Sequence, residues 1–405
     1  MPSIPSVILA TPAWSLNGPN VFSANLVRGL RARGIAAHIV ITRPDWTDTK
    51  PLPRPADIPF ETLPAARFLS YRARCRTMRA YLESRAPCIY VPNYDFGHSC
   101  VSAQLSNRVA VAGIIHSDDP QHYDHVARLG SYWNAVVAVS TSIREETLRI
   151  RPDLAGRICT IPYGIASAAQ FPERSGAAGG VLRLVYTGRL DQPQKRVLDL
   201  PGIVRAALDR GVPVRLTVVG SGPAETELRA RCAALGVASS VTFLSTLGST
   251  ELSAVLAGHD VFLLASAFEG LPISMLEAMG QGCVPVVTDI RSGVGELLDD
   301  GVQGFRVRAG DFAAFADRLA TLQNDSALRR RMAEAAYEKA ASGSFRLDRM
   351  VDRYVDLFTR MMTTPFRRSP AGLSAPPNLP WQEHLPGLVQ RGGHAVRELL
   401  RGGEA

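Results

Sequence analysis

The chain has 405 residues, 46% of them hydrophobic and 20% charged, with a formal net charge of +8. That apolar share excludes a disordered polymer, and the length exceeds one ordinary core at roughly 100–200 residues per domain. The positive charge suits a nucleic acid, an anionic membrane surface or a phosphorylated substrate without choosing among them.

The six cysteines form no C-x-x-C pair and lie in apolar segments, as buried reduced thiols do; neither a disulfide framework nor a zinc site is expected. The opening MPSIPSVILATPAW lacks a basic n-region, and no stretch reaches the roughly 18 apolar residues of a membrane span. A cytoplasmic protein is expected, peripheral at most at the inner face of a membrane.

Strands are predicted at Val7–Ala10, Ala37–Thr42, Cys88–Val91, Val109–His116 and Ala135–Ser140. A helix patterned on Phe22, Leu26 and Leu30 falls between the first two and ends at Gly34. Residues 65–85 carry six arginines and an apolar stripe of Phe68, Tyr71, Cys75, Met78 and Leu82. Such a helix either packs its stripe on the first domain or lies on an anionic bilayer.

Residues 166–180 are small, polar and glycine-rich, and read as a linker. A second series of strands follows at Leu182–Tyr186, Val214–Val219, Val241–Leu244, Val261–Leu264 and Val284–Val287, with helices fitting between them. Continuous apolar strands alternating with helices predict an α/β protein of two Rossmann-like, doubly wound domains facing a central cleft, where ligands bind at the carboxyl ends of the strands. The divisions are 1–168, 169–344, a helix at 345–362 packing back toward the first domain, and a Pro-rich basic tail at 363–405, mobile to about Leu379.

Two segments carry chemistry. In Phe268-Glu269-Gly270-Leu271-Pro272-Ile273-Ser274-Met275-Leu276-Glu277 the two carboxylates stand eight residues apart. Pro272 suits a first helical turn, which places Glu269 in the loop before the helix and Glu277 inside it. The free amides of that helix start make an anion site, and carboxylates beside it accept hydrogen bonds from sugar hydroxyls. The second segment, Thr187-Gly188-Arg189 through Lys195-Arg196, offers a tight turn and two cations. Fixed cations aimed at a departing diphosphate lower the barrier to its release, and no D-x-D motif for a metal stands where one would be expected.

These segments in this order, with Val218-Val219-Gly220-Ser221-Gly222-Pro223 between them, resemble the retaining nucleotide-sugar glycosyltransferases of the GT-B fold, in the E-x7-E subgroup of the family 4 type. The resemblance spans nearly the whole chain. It implies an acceptor domain at 1–168 and a donor domain at 169–344. It implies a retaining hexosyltransferase without cofactor or metal, using a nucleotide-diphosphate sugar, UDP or GDP, in cell envelope polysaccharide biosynthesis. Arg189 and Lys195 match the cations that grip the diphosphate, Glu269 the carboxylate beside the donor sugar, and Glu277 the one on the ribose. Gly188, Gly270, Leu271 and Ser274 fall on the donor-binding backbone, and Phe243–Leu247 where the base is held. Ile161–Ile165 resembles the loop that ends the first domain.

His116 matches a histidine near the donor sugar, and Gly18, in Asn17-Gly18-Pro19-Asn20, stands where a Gly-Gly loop approaches the phosphates. Asn17 tolerates a left-handed turn there, whereas Pro19 removes an amide donor. The acceptor is a sugar, a polysaccharide or a lipid-linked molecule, and nucleic acid has no motif behind it. The competing readings are a nucleotide-sugar epimerase or phosphorylase, or a non-catalytic nucleotide-sugar binding protein, on the same fold.

Overall fold

Two parallel sheets organise the chain. The first consists of β1 (Ser6–Thr11), β2 (Ala37–Ile41), β3 (Phe60–Thr62), β4 (Cys88–Val91), β5 (Val109–Ile115), β6 (Ala135–Ala138) and β7 (Ile158–Thr160), in the order β3-β2-β1-β4-β5-β6-β7. The second consists of β8 (Leu182–Thr187), β9 (Val214–Val219), β10 (Val241–Leu244), β11 (Val261–Leu264), β12 (Val284–Thr288) and β13 (Phe305–Val307), in the order β10-β9-β8-β11-β12-β13. The computed structural model describes residues 4–15, 17–44, 52–64, 70–172, 180–369, 371–373 and 375.

Strand pairing is parallel in both sheets. Central strands such as β5, Val-Ala-Val-Ala-Gly-Ile-Ile, are buried along their whole length because helices cover both faces. The helices are α1 (Gly18–Ala32), α2 (Tyr71–Glu83), α3 (Pro120–Leu129), α4 (Thr141–Ile150), α5 (Leu200–Asp209), α6 (Glu225–Ala234), α7 (Ser249–Ala257), α8 (Ile273–Gly280), α9 (Val294–Leu297), α10 (Phe312–Asn324), α11 (Ser326–Ala341) and α12 (Leu347–Thr363). Strand order reverses between β1 and β4, and again between β8 and β11, so each sheet has a switch point where loops diverge and leave a crevice.

The stripe of α2 belongs to the core: Tyr71, Cys75, Met78 and Leu82 are buried, while Arg72, Arg76, Arg79 and Arg85 face outward. Of the two sequence alternatives, packing on the first domain is the one the described residues show. Phe68 and Arg67 lie outside the described residues. Among those described, no helix is long and apolar enough to cross a membrane.

The chain passes between the domains twice, and the two passages lie side by side. The Ile165 N–H donates to the Phe345 carbonyl at 2.9 Å, and the Leu347 N–H donates to the Ile165 carbonyl at 3.0 Å. From there α12 lays its apolar stripe (Met350, Val351, Tyr354, Leu357, Phe358 and Met361) on the first domain, with the Tyr354 ring 5.5 Å from that of Phe22 in α1.

Beyond α12 the tail is anchored where mobility was expected. The Arg368 guanidinium is buried and donates to the carbonyls of Leu105, Ser106, Val109 and Tyr132 and to Asn134 Oδ1, at 2.9–3.2 Å. Two separate segments, 105–109 and 132–134, contribute those acceptors, so no local pattern announces the nest. Burial lowers the Arg368 pKa to about 10.

Candidate active site

The loop after β8 is held in shape by Asp191. Its Oδ1 accepts from the N–H groups of Gln194 (3.1 Å) and Lys195 (3.0 Å), and its Oδ2 pairs with Arg189 Nε at 2.5 Å. Arg189 also donates to Gln194 Oε1 at 3.1 Å and stays partly exposed. Gly188 (φ 150°) and Gly220 (φ 143°) let the turns after β8 and β9 touch: a Cβ on Gly220 would lie 2.0 Å from the Gly188 carbonyl oxygen.

Lys195 crosses to the loop after β11. Its Nζ donates to Glu269 Oε1 at 2.7 Å, and Ser266 Oγ donates to the same oxygen at 2.6 Å. Glu269 is buried, 4% exposed. A buried carboxylate needs such partners to stay charged. The same loop is stitched to the first by the Ala267 N–H donating to the Gln194 carbonyl at 2.8 Å.

Helix α8 starts one residue later than the sequence implies. Pro272 (φ −71°, ψ 101°) is its cap, and Pro272 to Ser274 line the cleft with the helix start behind them. Glu277 is half-buried on the same wall and, among the described residues, makes no hydrogen bond or ion pair. Desolvation pushes its carboxyl up to about 7.

The opposite wall comes from the first domain. Asn17 is extended (φ −159°), not left-handed, because it caps α1: its Oδ1 accepts from the Asn20 N–H at 2.8 Å. Tyr94 Oη accepts from Thr11 Oγ1 (2.8 Å) and Asn17 Nδ2 (3.0 Å), tying β1, α1 and the loop after β4 together. His116 is buried, and both its ring nitrogens are engaged. Nε2 donates to Asn93 Oδ1, and Nδ1 accepts from Tyr163 Oη at 2.5 Å. Asn93, at φ 52°, is itself fixed by donating to Ser23 Oγ at 3.0 Å. Burial, helped by neighbouring His122, holds the His116 imidazole well below the ordinary range, so the ring is neutral.

Both walls enclose one cavity of about 380 Å³. Gly18, His116, Gly188, Arg189, Lys195, Glu269, Gly270, Leu271, Ser274 and Glu277 all line it. Of the stretch expected at the base, the cavity takes Leu247 and the neighbouring Thr246; Phe243 stays on β10 under the guanidinium of Arg229. Residues not singled out in the sequence for the site, Tyr94, Phe96, Ser117, Asp119 and His122, come from the loops after β4 and β5 and the first turn of α3. A polar residue directly after the predicted strand Val109–His116 was the one available signal, and it fits Ser117.

The domains meet closely beside this cavity. A Cβ on Gly270 would lie 2.0 Å from the His116 carbonyl oxygen. At the rim, Arg291 of the second domain reaches Glu146 (3.2 Å) and Asp118 (3.3 Å) of the first. Glu296 accepts from the Thr141 N–H at the start of α4. A second cavity of about 550 Å³ lies at the two interdomain passages, lined by Ile165–Ala169 and Arg346–Asp348, and contains none of these site residues.

Two facing doubly wound domains with a polar cleft at their strand ends define the GT-B architecture. The HepE protein of Anabaena, solved with UDP and glucose, superposes with a TM-score of 0.71 over 87% of this chain and 99% of that one, at 17% identity. Residues 182–325, which make up most of the second domain, match the family model for glycosyl transferases group 1. The putative colanic acid biosynthesis glycosyltransferase WcaL of Escherichia coli K12 is 35% identical over 170 residues, 40% of this chain and 41% of that protein. A D-inositol 3-phosphate glycosyltransferase of Stackebrandtia nassauensis is 28% identical across 87% of this chain and 90% of its own. The chain therefore aligns to about two fifths of the length of the colanic acid relatives.

Proposed function

We propose that the protein transfers a hexose-type sugar from a nucleotide-diphosphate donor to an acceptor hydroxyl, with retention of anomeric configuration and without a metal. The observation that carries this reading is the convergence of Arg189, Lys195, Glu269 and Glu277 with the start of α8 in one cavity. The cations take the diphosphate, Glu277 the ribose diol, and Glu269 a hydroxyl of the donor sugar. HepE holds UDP and glucose on the same fold, which supports a uridine nucleotide.

In the reaction the bond from the anomeric carbon to the β-phosphate oxygen breaks and the acceptor oxygen bonds to that carbon. The acceptor proton passes to the released diphosphate. Attack on the same face as departure gives retention, and the closed cleft keeps water from competing. His116, with both nitrogens occupied, serves as a positioning residue whose carbonyl meets Gly270. A role in envelope polysaccharide synthesis agrees with the name of WcaL. The two relatives' names point to different acceptors, colanic acid biosynthesis and D-inositol 3-phosphate.

The test is incubation of the full chain with radiolabelled UDP- and GDP-sugars and a mixed acceptor pool. Release of nucleoside diphosphate together with a labelled, anomerically retained product is expected. An isomerised sugar nucleotide with no transfer product, or binding without turnover, would overturn the reading.

A further inference from the structure

Resting on that transfer reading, we infer that the acceptor is a neutral polyhydroxyl compound, a sugar or polyol carrying no phosphate at the reacting end, and that Ser117 and Asp119 hold its nucleophilic hydroxyl.

The two walls of the cavity differ in charge. The second domain brings Arg189 and Lys195, whereas among the described residues the first domain lines the cavity with no lysine or arginine. Its titratable groups there are Asp119, His116, His122, Tyr94 and Tyr163. Burial holds both histidines below their ordinary range, so neither supplies a cation. A phosphate on this wall would meet a carboxylate and find no counter-charge.

A hydroxyl finds partners instead. Ser117 Oγ is buried and, among the described residues, has no hydrogen-bond partner. Asp119 is fixed as the cap of α3: its Oδ1 accepts from the Gln121 N–H at 2.9 Å and the His122 N–H at 3.2 Å. The nearest basic atom to its Oδ2 is His122 Nε2 at 3.8 Å, beyond hydrogen-bond range, which leaves that oxygen available. A carboxylate oxygen without a donor accepts readily from a hydroxyl. Tyr94 and Phe96 add ring surface for the C–H faces of a sugar. Ser117 follows His116 directly in the chain and Asp119 stands three residues on, and the His116 carbonyl abuts Gly270 in the loop that carries Glu269. The hydroxyl they hold therefore sits beside the donor sugar.

The experiment uses the full chain and the sugar nucleotide it turns over fastest, chosen from UDP-glucose, UDP-N-acetylglucosamine and GDP-mannose. Glucose, mannose, myo-inositol and short neutral oligosaccharides are offered beside their phosphorylated counterparts. Transfer to neutral acceptors is expected, at kcat/KM about tenfold or more above the phosphorylated partners. Asp119→Asn keeps an oxygen for the helix cap and is expected to raise acceptor KM about tenfold, and Ser117→Ala several-fold. The UDP dissociation constant, read by calorimetry, stays within about twofold in both variants. Equal or better use of phosphorylated acceptors overturns the assignment. So does an unchanged acceptor KM in both variants, or no transfer to any neutral acceptor by a chain that binds nucleotide. A chain that binds neither UDP nor GDP sinks the transfer reading itself, a separate result.

Discussion

Replacing Gly270 with alanine tests whether closure of the cleft, rather than binding of the nucleotide alone, sets the rate. The added Cβ would stand 2.0 Å from the His116 carbonyl oxygen, 2.7 Å from its carbon and 3.1 Å from Val139 Cγ2. Two of those three atoms are backbone of a buried strand end and cannot rotate away. A carbon–oxygen contact relaxes at about 3.3 Å, so the domains must part by about 1.3 Å at this point. A misplacement near 1 Å between reacting groups costs about 10²-fold in rate. The expected outcome is a fall in kcat of about that size with UDP affinity changed by less than about threefold, because Arg189, Lys195 and Glu277 all stand on the second domain. Initial-rate assays of nucleoside diphosphate release, with calorimetry for UDP, read both quantities. X-ray scattering reports the wider cleft. Wild-type kcat in Gly270→Ala would refute the reasoning.

Lys195→Ala removes a cation from the leaving group and strips Glu269 of its ion pair, so kcat falls about 10²-fold or more in the transfer assay; a smaller loss counts against its role. Glu277 titrates near 7 in the folded protein against an ordinary 4.5, so the fold holds that proton more tightly than the unfolded chain. Stability therefore falls as pH rises from about 4.5 to 7, and the cost is complete above 7. Glu277→Gln is expected to melt higher than the native protein at pH 8 and equally at pH 4, by differential scanning fluorimetry, although it binds UDP more weakly. Arg368→Ala leaves buried carbonyls without a donor and should lose about 2–3 kcal/mol in denaturant titration. Arg291 is 62% exposed at its side chain, so Arg291→Ala should change kcat/KM less than about fivefold, an effect that 0.5 M salt removes.

The donor half of the site was legible because its chemistry is local in sequence. Arg189 to Lys195 and Glu269 to Glu277 are each one loop and one helix start, and apolar strands before them fix which way they face. Of the first-domain wall only Asn17-Gly18 and His116 were legible, since residues 94, 96, 117, 119 and 122 are dispersed over two βα loops and the start of α3, and only the sheet gathers them. Strands β3, β7 and β13, of three residues each, are too short to show a period. Pro272 was read one step early, because cap and first turn share φ and differ in ψ; Asn17 was read as able to take a left-handed turn, and its capping of α1 holds it extended instead. The α2 stripe was readable as a stripe, but what it faces is a tertiary fact. His116 stood out by position, whereas its engagement by Asn93 and Tyr163 depends on residues 23 before it and 47 after it.

The return of α12 and Arg368 to the first domain bears on how the molecule is made. A chain leaving the ribosome can close β1 to β7 long before residues 347–369 emerge. Until then Phe22 lacks Tyr354, and the carbonyls of Leu105, Ser106 and Val109 lack their guanidinium. Of the two domains, the one synthesised first is thus the last to be finished. During that interval it displays an apolar strip on α1, the surface that a chaperone recognises or that a neighbouring nascent chain can capture.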